Sequence, residues 1–249
     1  MLNKNRRYSV FDILILMAKS SKKSPKSPSK SKNKTSWKVI AASLAAVVIG
    51  LSTISKTYLK QIKYFKTQFK VVNVIDGDSF ILSTDQSIRL GNLEAPELEN
   101  CMGNEAKQVL TKLILGKTVK LDIFAHDLYK RPIALVYVDD LLVNEVLLRK
   151  GLARYDGTPS KERDRLKSAY DKAKVEDIGI FKTCISVHPD KPNCLIKGNI
   201  DRHSKTKTYH LPNCQEYNQV IVEKDLGESW FCSNADARRA GYEKAKHCP

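Results

Sequence analysis

The residues best suited to chemistry are four acids and an arginine within a short stretch. Asp76 and Asp78 flank a glycine at a strand break, Arg89 lies in the next predicted strand, and Glu94 and Glu97 follow that strand. If the two strands pair as a hairpin, the carboxylates converge near the arginine. Close carboxylates repel one another unless a cation neutralises them. Hard oxygen ligands suit calcium or magnesium rather than zinc, and an arginine beside them suits a phosphate.

A simpler interpretation of the same residues is a turn followed by a solvated acidic loop. Asp-Gly is a common hairpin signal by itself, so the sequence pattern alone leaves both interpretations open.

The strands and helices that must position these residues are predicted from the pattern of hydrophobic residues. From Phe69 onward this pattern is that of a folded domain. Short segments with strand character are predicted at 70–82, 87–93, 118–124, 133–138 and 141–143. Helices are predicted at 103–115, 144–150 and 160–175. Short strands with interleaved helices indicate a small barrel that carries helices.

The charge of the chain is concentrated at its N-terminal end. The 249 residues have a formal net charge of +16. Residues 1–70 contain 16 Lys and Arg against one acid, whereas the remainder contains 27 bases and 26 acids. The folded part is therefore nearly neutral, and the high isoelectric point is no evidence that it binds nucleic acid.

Residues 1–36 form a basic arm rich in Ser, Lys and Pro, which predicts disorder. Residues 37–57 are predicted to form a single transmembrane helix, followed by a linker at 58–68. Its central stretch, 39–54, has no charge, and Trp37 and Tyr58 flank this stretch as interface anchors would. A cleaved signal peptide is the alternative, although its basic region would be unusually long.

Lysines are more numerous before this apolar segment than after it, with eight against five. The positive-inside rule therefore predicts a cytoplasmic N-terminus, with the folded domain outside the cytoplasm. The cysteines favour the same orientation because none of them precedes the apolar segment.

The chain has an even number of cysteines, which favours disulfides and an oxidising compartment. They are Cys101, Cys184, Cys194, Cys214, Cys232 and Cys248. After a linker at 185–193, residues 194–249 form a small module that contains four of them, and residues 233–245 are predicted to be a helix capped by Ser233. Zinc bound by three of these cysteines with Cys194 or His210 is the alternative, but the spacing lacks a C-x-x-C pair.

Several motifs together resemble the staphylococcal-nuclease family over about residues 70–181. They include VVNVIDGDSFIL, IRLGNLEAPE, LYKRPIALVYV and VNEVLLRKGLA, in the order and spacing of that family. The resemblance implies an OB-type five-stranded barrel with three helices. It also implies calcium-dependent cleavage of phosphodiester bonds in DNA and RNA, with magnesium or manganese as other candidate ions.

The resemblance assigns metal-binding roles to residues of the acidic loop. Asp78 and Glu94 match the two calcium carboxylates, the backbone carbonyl of Ala95 matches a further ligand, and Asp76 lies in the outer shell. The family usually has aspartate at the position of Glu94, which is longer by one methylene.

The remaining assignments concern the phosphate and the attacking water. Glu97 matches the glutamate that orients or deprotonates water. Arg89 and Arg131 match the two phosphate-binding arginines, and Tyr129 matches a tyrosine that contacts a nucleotide phosphate. Lys130 replaces the glycine that usually precedes the second arginine. From the position of Cys101 at the first helix and Cys184 at the end of the barrel domain, 69–184, we expect these two cysteines to pair.

Two functions are therefore compared. The first is a monomeric, membrane-anchored endonuclease that acts on DNA or RNA outside the cytoplasm, and the presence of Arg89, Glu97 and Arg131 together favours it. The second is a non-catalytic, membrane-anchored OB-fold module that binds nucleic acid or protein, which the near-neutral charge of residues 71–249 favours slightly.

Overall fold

The computed structural model describes residues 68–249, which begin with a barrel surrounded by helices. Its strands are β1 (Gln68–Val74), β2 (Ser79–Leu82), β3 (Ser87–Leu90), β4 (Thr118–His126), β5 (Pro132–Val138) and the short β6 (Leu141–Leu142). The helices that follow or interrupt them are α1 (Gly103–Ile114), α2 (Val143–Arg149), α3 (Arg163–Val175) and α4 (Ile180–Thr183).

The first five strands form a closed sheet. β1 pairs antiparallel with β2 and β4, β2 pairs with β3, and β4 pairs with β5. A parallel contact between β3 and β5, with Arg89 opposite Ile133, closes the ring. The predicted OB-type five-stranded barrel with three main helices is confirmed, and α4 is an additional single turn.

Apolar side chains from strands and helices share one core inside and around the barrel. Phe80, Leu82 and Ile88 of the first hairpin are fully buried. Helix α1 contributes Ala106 and Leu110, one turn apart, so its apolar face lies against the barrel. The helix that follows the acidic loop is thereby fixed in place by the core.

The boundaries of some predicted elements differ from the structure. The predicted strand at 70–82 is two strands separated by residues 75–78, and the strand predicted at 87–93 ends at Leu90. The helix predicted at 233–245 begins with the expected cap, since Ser233 accepts a hydrogen bond from the Asp236 amide, but it ends at Arg239. Gly241 adopts a left-handed φ of 83°, which turns the chain out of the helix.

The C-terminal region is built from very short elements. They are β7 (Ile185–Ser186), β8 (Ile196–Ile200), β9 (Lys207–His210), β10 (Val222–Glu223), β11 (Trp230–Phe231), α5 (Asn234–Arg239) and β12 (Glu243–Lys244). β7 pairs with β10, and the other four strands form one sheet in the order β11, β8, β9, β12. Residues 185–186 of the predicted linker are thus paired with the module.

All six cysteines are joined in disulfides, as Cys101–Cys184, Cys194–Cys232 and Cys214–Cys248. The expected pairing of Cys101 with Cys184 is confirmed, and the module has the two disulfides that were favoured over zinc. The first bridge joins the start of α1 to the end of α4 across 83 residues of chain, which restricts the unfolded state strongly.

Between residues 68 and 249, no helix is long and apolar enough to cross a membrane. The structure does not describe residues 1–67. The predicted arm (1–36), the predicted transmembrane helix (37–57) and nearly all of the predicted linker (58–68) therefore lie outside the described residues.

A buried asparagine joins the end of β3, strand β5 and helix α2. Asn144 of α2 is fully buried. Its side-chain oxygen accepts from the Val136 amide at 2.9 Å, and its amide donates to the carbonyls of Gly91 at 2.8 Å and Ala134 at 3.2 Å. These bonds satisfy main-chain groups where β3, β5 and α2 meet.

Replacing Asn144 by alanine is expected to lower the free energy of unfolding by about 2–4 kcal/mol, because buried main-chain groups lose their partners. Chemical denaturation of the purified chain measures this. Asn193→Ala, at an exposed position of the linker, is the control and should change stability by less than about 0.5 kcal/mol. Equal unfolding midpoints for the two variants would contradict this role of Asn144.

Candidate functional site

The loop between β1 and β2 presents Asp76 and Asp78 beside the segment that follows β3. Gly77 makes this approach possible, since a Cβ there would lie 2.6 Å from the Ala95 Cβ and 2.7 Å from the Ala106 Cβ. Any side chain at position 77 would therefore push the loop away from Ala95 and from helix α1. The glycine of the Asp-Gly-Asp motif is required by close packing, and the loop is more than a solvated turn.

Asp78 is the buried centre of the site, with 4% of its surface exposed. One carboxylate oxygen lies 3.0 Å from the Arg89 guanidinium and accepts from the Ala95 amide at 3.1 Å. The other oxygen accepts from the Ser79 hydroxyl at 2.8 Å. Arg89 reaches Asp78 because it lies directly opposite Ser79 in the antiparallel pairing of β2 and β3.

The charge on Asp78 is only partly compensated. Burial raises the pKa of Asp78 to about 6, and the nearby Asp76 carboxylate acts in the same direction, whereas Arg89 opposes both. A carboxylate with a raised pKa in a buried position gains stability from a further cation. The site therefore favours the binding of positive charge beside Asp78.

The chain after β3 carries the other two acids. Glu94 is held by its backbone, which exchanges two hydrogen bonds of 2.8 Å with Arg154. Its side chain is exposed, and one carboxylate oxygen lies 3.3 Å from the Lys205 ammonium. Glu97 is also exposed. The backbone carbonyl of Glu97 packs closely on Gly103, since a Cβ at position 103 would lie 1.9 Å from the carbonyl oxygen. The chain at Glu97 is therefore packed against the start of helix α1.

The available ligands fit a hard divalent cation such as calcium, since Asp76, Asp78, Glu94 and the Ala95 carbonyl all offer oxygen. The buried and incompletely compensated Asp78 carboxylate is the observation that supports this fit. Within residues 68–249, no three Asp, Glu, His or Cys side chains are grouped as around a metal ion. The Glu94 carboxylate instead contacts Lys205.

Arg131 and Tyr129 lie in the turn between β4 and β5. Asp127 holds the turn, accepting from the amides of Tyr129 and Arg131 and pairing with the Arg131 side chain at 2.7 Å. Lys130 has a left-handed φ of 62°, so the turn keeps the conformation that glycine favours without a glycine. The Tyr129 side chain is 83% exposed. The turn thus presents an aromatic ring and an anchored arginine to solvent.

The two arginines are related through the strands that carry them. Arg89 lies opposite Ile133 in the parallel β3–β5 contact, and Arg131 precedes Ile133 by two residues. Because two residues span at most roughly 7 Å of chain, the backbone of Arg131 lies within that distance of the position opposite Arg89, in the turn that precedes β5. The structure thus brings Asp76, Asp78, Arg89 and Ala95 together, while Arg131 lies nearby and is paired with Asp127.

A cavity of about 270 Å³ opens beside the acidic segment. The barrel lines it with Glu94, Glu97 and Arg154, and the C-terminal module lines it with Lys205 and Asp225. The last three of these residues were missed by the sequence analysis. The sequence carries no local signal for Lys205 and Asp225, because the docking of the module brings them to the site. It carries none for Arg154 either, because the partner that reveals its role, Asp225, lies 71 residues away.

Arg154 connects the site to the module. Its guanidinium forms a two-point contact with the Asp225 carboxylate, at 2.5 Å and 2.9 Å, and lies 3.2 Å from Glu223. Arg154 and Asp225 are both nearly fully buried. Burial works to lower the pKa of Arg154, but the hydrogen bonds and charge of Asp225 outweigh it and raise that pKa above its usual value. The backbone of the same arginine holds Glu94.

Comparison with known proteins finds similarity over the barrel region. Residues 87–183 match the family model described as "Staphylococcal nuclease homologue". An uncharacterized endonuclease of Haemophilus influenzae is 26% identical over 158 residues, covering 62% of this chain and 84% of that protein. An uncharacterized endonuclease of Escherichia coli O157:H7 is 35% identical over 88 residues, which are 34% of this chain and 58% of that protein.

A probable staphylococcal-like nuclease of Oryza sativa is 30% identical over 124 residues, covering 50% of this chain and 31% of that protein. The chain spans between 25% and 33% of the length of the plant relatives that it matches. The similarity to these larger proteins therefore concerns one domain of each.

Replacing Asp225 by asparagine is expected to lower the free energy of unfolding by about 3–5 kcal/mol, since the buried Arg154 guanidinium loses its main counter-charge. Thermal or chemical unfolding measures the change. The control is Asp171→Asn, which breaks the exposed ion pair with Lys167 on α3 and should cost less than about 1 kcal/mol. Similar losses in both variants would show that the module does not depend on the buried pair.

Proposed function

Because residues 87–183 match the model of staphylococcal nuclease homologues, we propose that this chain is a calcium-dependent endonuclease that hydrolyses phosphodiester bonds in DNA or RNA. The observation that carries the proposal is the arrangement around Asp78. The Arg89 guanidinium contacts the buried Asp78 carboxylate, which also accepts from the Ala95 amide. Ala95 belongs to the acidic segment 94–97, whose residues line the cavity. A phosphodiester and a divalent cation are together complementary to this arrangement of charges.

Asp78, Glu94 and the Ala95 carbonyl are the residues that would hold the ion. Bound calcium would supply positive charge that draws electrons from the phosphate and stabilises the negative charge that develops during attack. The Arg89 guanidinium would bind the same phosphate, because its contact with Asp78 holds it beside a proposed ligand of the ion.

Arg131 provides a second guanidinium for the phosphate oxygens. Asp127 binds the Nε of Arg131, which leaves the two terminal nitrogens available for a two-point contact. Tyr129, exposed in the same turn, offers a ring and a hydroxyl to the neighbouring nucleotide.

Glu97 is the proposed base. It takes a proton from the attacking water as the water oxygen forms a bond to phosphorus. The bond from phosphorus to the leaving oxygen breaks, and that oxygen receives a proton, so that a phosphate monoester and a free hydroxyl result. Glu97 is free for this role because its carboxylate lines the cavity and is exposed.

We further propose that the enzyme is anchored in a membrane through residues 37–57, is monomeric and acts outside the cytoplasm. The pairing of all six cysteines in disulfides supports this location, since such bonds persist in oxidising compartments. Reaction with external nucleic acid would also keep an unspecific nuclease away from the genome.

A non-catalytic module that binds nucleic acid or protein is the second candidate. The observation in its favour is the neutral barrel, since residues 69–184 contain 18 basic and 18 acidic residues. A binding module has no use for a glutamate in the position of Glu97, however, so substitution of that residue separates the two functions.

Replacing Glu97 by glutamine is expected to reduce the rate of cleavage by roughly 10²–10⁴-fold, the usual contribution of a general base. The assay follows cleavage of single-stranded DNA by the chain in calcium and in chelator. Glu99→Gln, which removes an equally exposed carboxylate two residues away, is the control and should retain activity. Calcium-dependent cleavage that survives Glu97→Gln would reject this base. A parent chain that does not cleave in calcium, magnesium or manganese would favour the binding module.

A further inference from the structure

The C-terminal module directs a basic hairpin loop toward the acidic segment of the site. The loop connects β8 to β9 and comprises residues 201–206, with the sequence DRHSKT, followed by Lys207. It contains Arg202, His203 and Lys205. Its one acid, Asp201, is occupied with main-chain and side-chain bonds inside the loop.

Those internal bonds give the loop one defined shape. The Asp201 carboxylate accepts from the amides of His203 at 3.1 Å and Ser204 at 2.7 Å, and from the Ser204 hydroxyl at 2.9 Å. Backbone bonds join Asp201 to Thr206 at 3.0 Å and Lys205 to Asp201 at 2.9 Å. The hydrogen bonds of His203 and Ser204 also hold the pKa of Asp201 below its usual value.

The position of the loop places Lys205 at the active site. Its ammonium lies 3.3 Å from the Glu94 carboxylate and lines the same cavity as Glu97. The buried pair of Arg154 with Asp225 docks the module against the residue whose backbone holds Glu94. Lys205 therefore lies beside the proposed reaction centre as a consequence of this docking.

The ion pair with Glu94 is too weak to explain by itself why Lys205 lies at the cavity. Both side chains are at least half exposed, at 61% and 50%, and exposed pairs of this kind contribute about 0–1 kcal/mol. The Lys205 ammonium also has two further donors directed to the cavity or to solvent. The Lys205 ammonium thus contributes little to folding stability, and it is placed where it can bind a ligand in the cavity.

We propose that Lys205 binds a phosphate of the nucleic acid strand adjacent to the phosphate that is cleaved, so that the C-terminal module forms one wall of the substrate groove. This inference rests on the proposed nuclease function. It also accounts for how a barrel with equal numbers of acids and bases holds a polyanion, since the module adds a local cation where the strand leaves the site. Lys205 is a substrate-binding residue in this account, without a part in the chemical step.

The test measures binding separately from cleavage. Glu97→Gln is used as the parent in calcium, and the probe is a labelled single-stranded oligonucleotide of about 12 nucleotides, within the range that one OB fold covers. Fluorescence anisotropy gives the dissociation constant at several salt concentrations. Lys205→Gln, Lys205→Arg and Lys246→Gln are then introduced, the last being an exposed lysine of the same module outside the hairpin loop.

Lys205→Gln is expected to weaken binding roughly three- to tenfold and to reduce the slope of log K against log salt by about 0.7, the value for one lost phosphate contact on a single strand. Lys205→Arg should restore both quantities, which excludes strain from the left-handed φ of 57° at this position. Lys246→Gln should leave the slope unchanged. A thymidine dinucleotide should bind equally well to Lys205→Gln and to the parent, because it has no adjacent phosphate.

Equal affinity and slope for Lys205→Gln and the parent would overturn the proposal, even when the wild-type chain cleaves DNA. Tighter binding or faster cleavage in Lys205→Gln would also overturn it, and would identify Lys205 as an inhibitory partner of Glu94. A wild-type chain that binds the strand through Lys205 without cleaving it would support the phosphate contact and reject the nuclease.

Discussion

The buried contact between Arg154 and Asp225 is the interaction on which the site depends. Arg154 belongs to the barrel and Asp225 to the C-terminal module, so the pair joins two regions that are far apart in sequence. Because the backbone of Arg154 is also the hydrogen-bonding partner of Glu94, the same residue fixes the acidic segment. Barrel, module and site therefore share one anchor, and the module is part of the architecture of the site.

A second constraint is the accumulation of negative charge around Asp78. Bringing Asp78 against Ala95 requires the absence of a side chain at Gly77, and the result is a carboxylate whose pKa is raised to about 6 by burial. This arrangement lowers folding stability, since an acidic group is desolvated with Arg89 as its one cationic partner among residues 68–249. A strained electrostatic arrangement of this kind is typical of sites that bind a cation and a phosphate.

The sequence predicted the barrel well because its strands alternate and its helices have a clear apolar spacing, as in Ala106 and Leu110. It predicted the acids and Arg89 as a group, since all lie within one hairpin and the turn that follows. The helix at 233–245 was predicted too long, because Gly241 was not recognised as a stop signal: it is left-handed, and the amides of Gly241 and Tyr242 donate back to Arg238 and Ala237. Lys205 and Asp225 were not found, because a residue brought in by docking leaves no local pattern in the sequence.

The distribution of charge decides what kind of nucleic acid binding this fold can support. Long-range attraction of a polyanion requires an excess of positive charge over the whole domain, and the barrel has none. Affinity must then come from short-range contacts, which are effective only if each cation is fixed in direction. Arg89 is paired with Asp78, Arg131 with Asp127, and Lys205 with Glu94. Each of these cations is thus directed by a carboxylate, and under the proposed function these directed cations supply the phosphate contacts of a barrel that has no net charge.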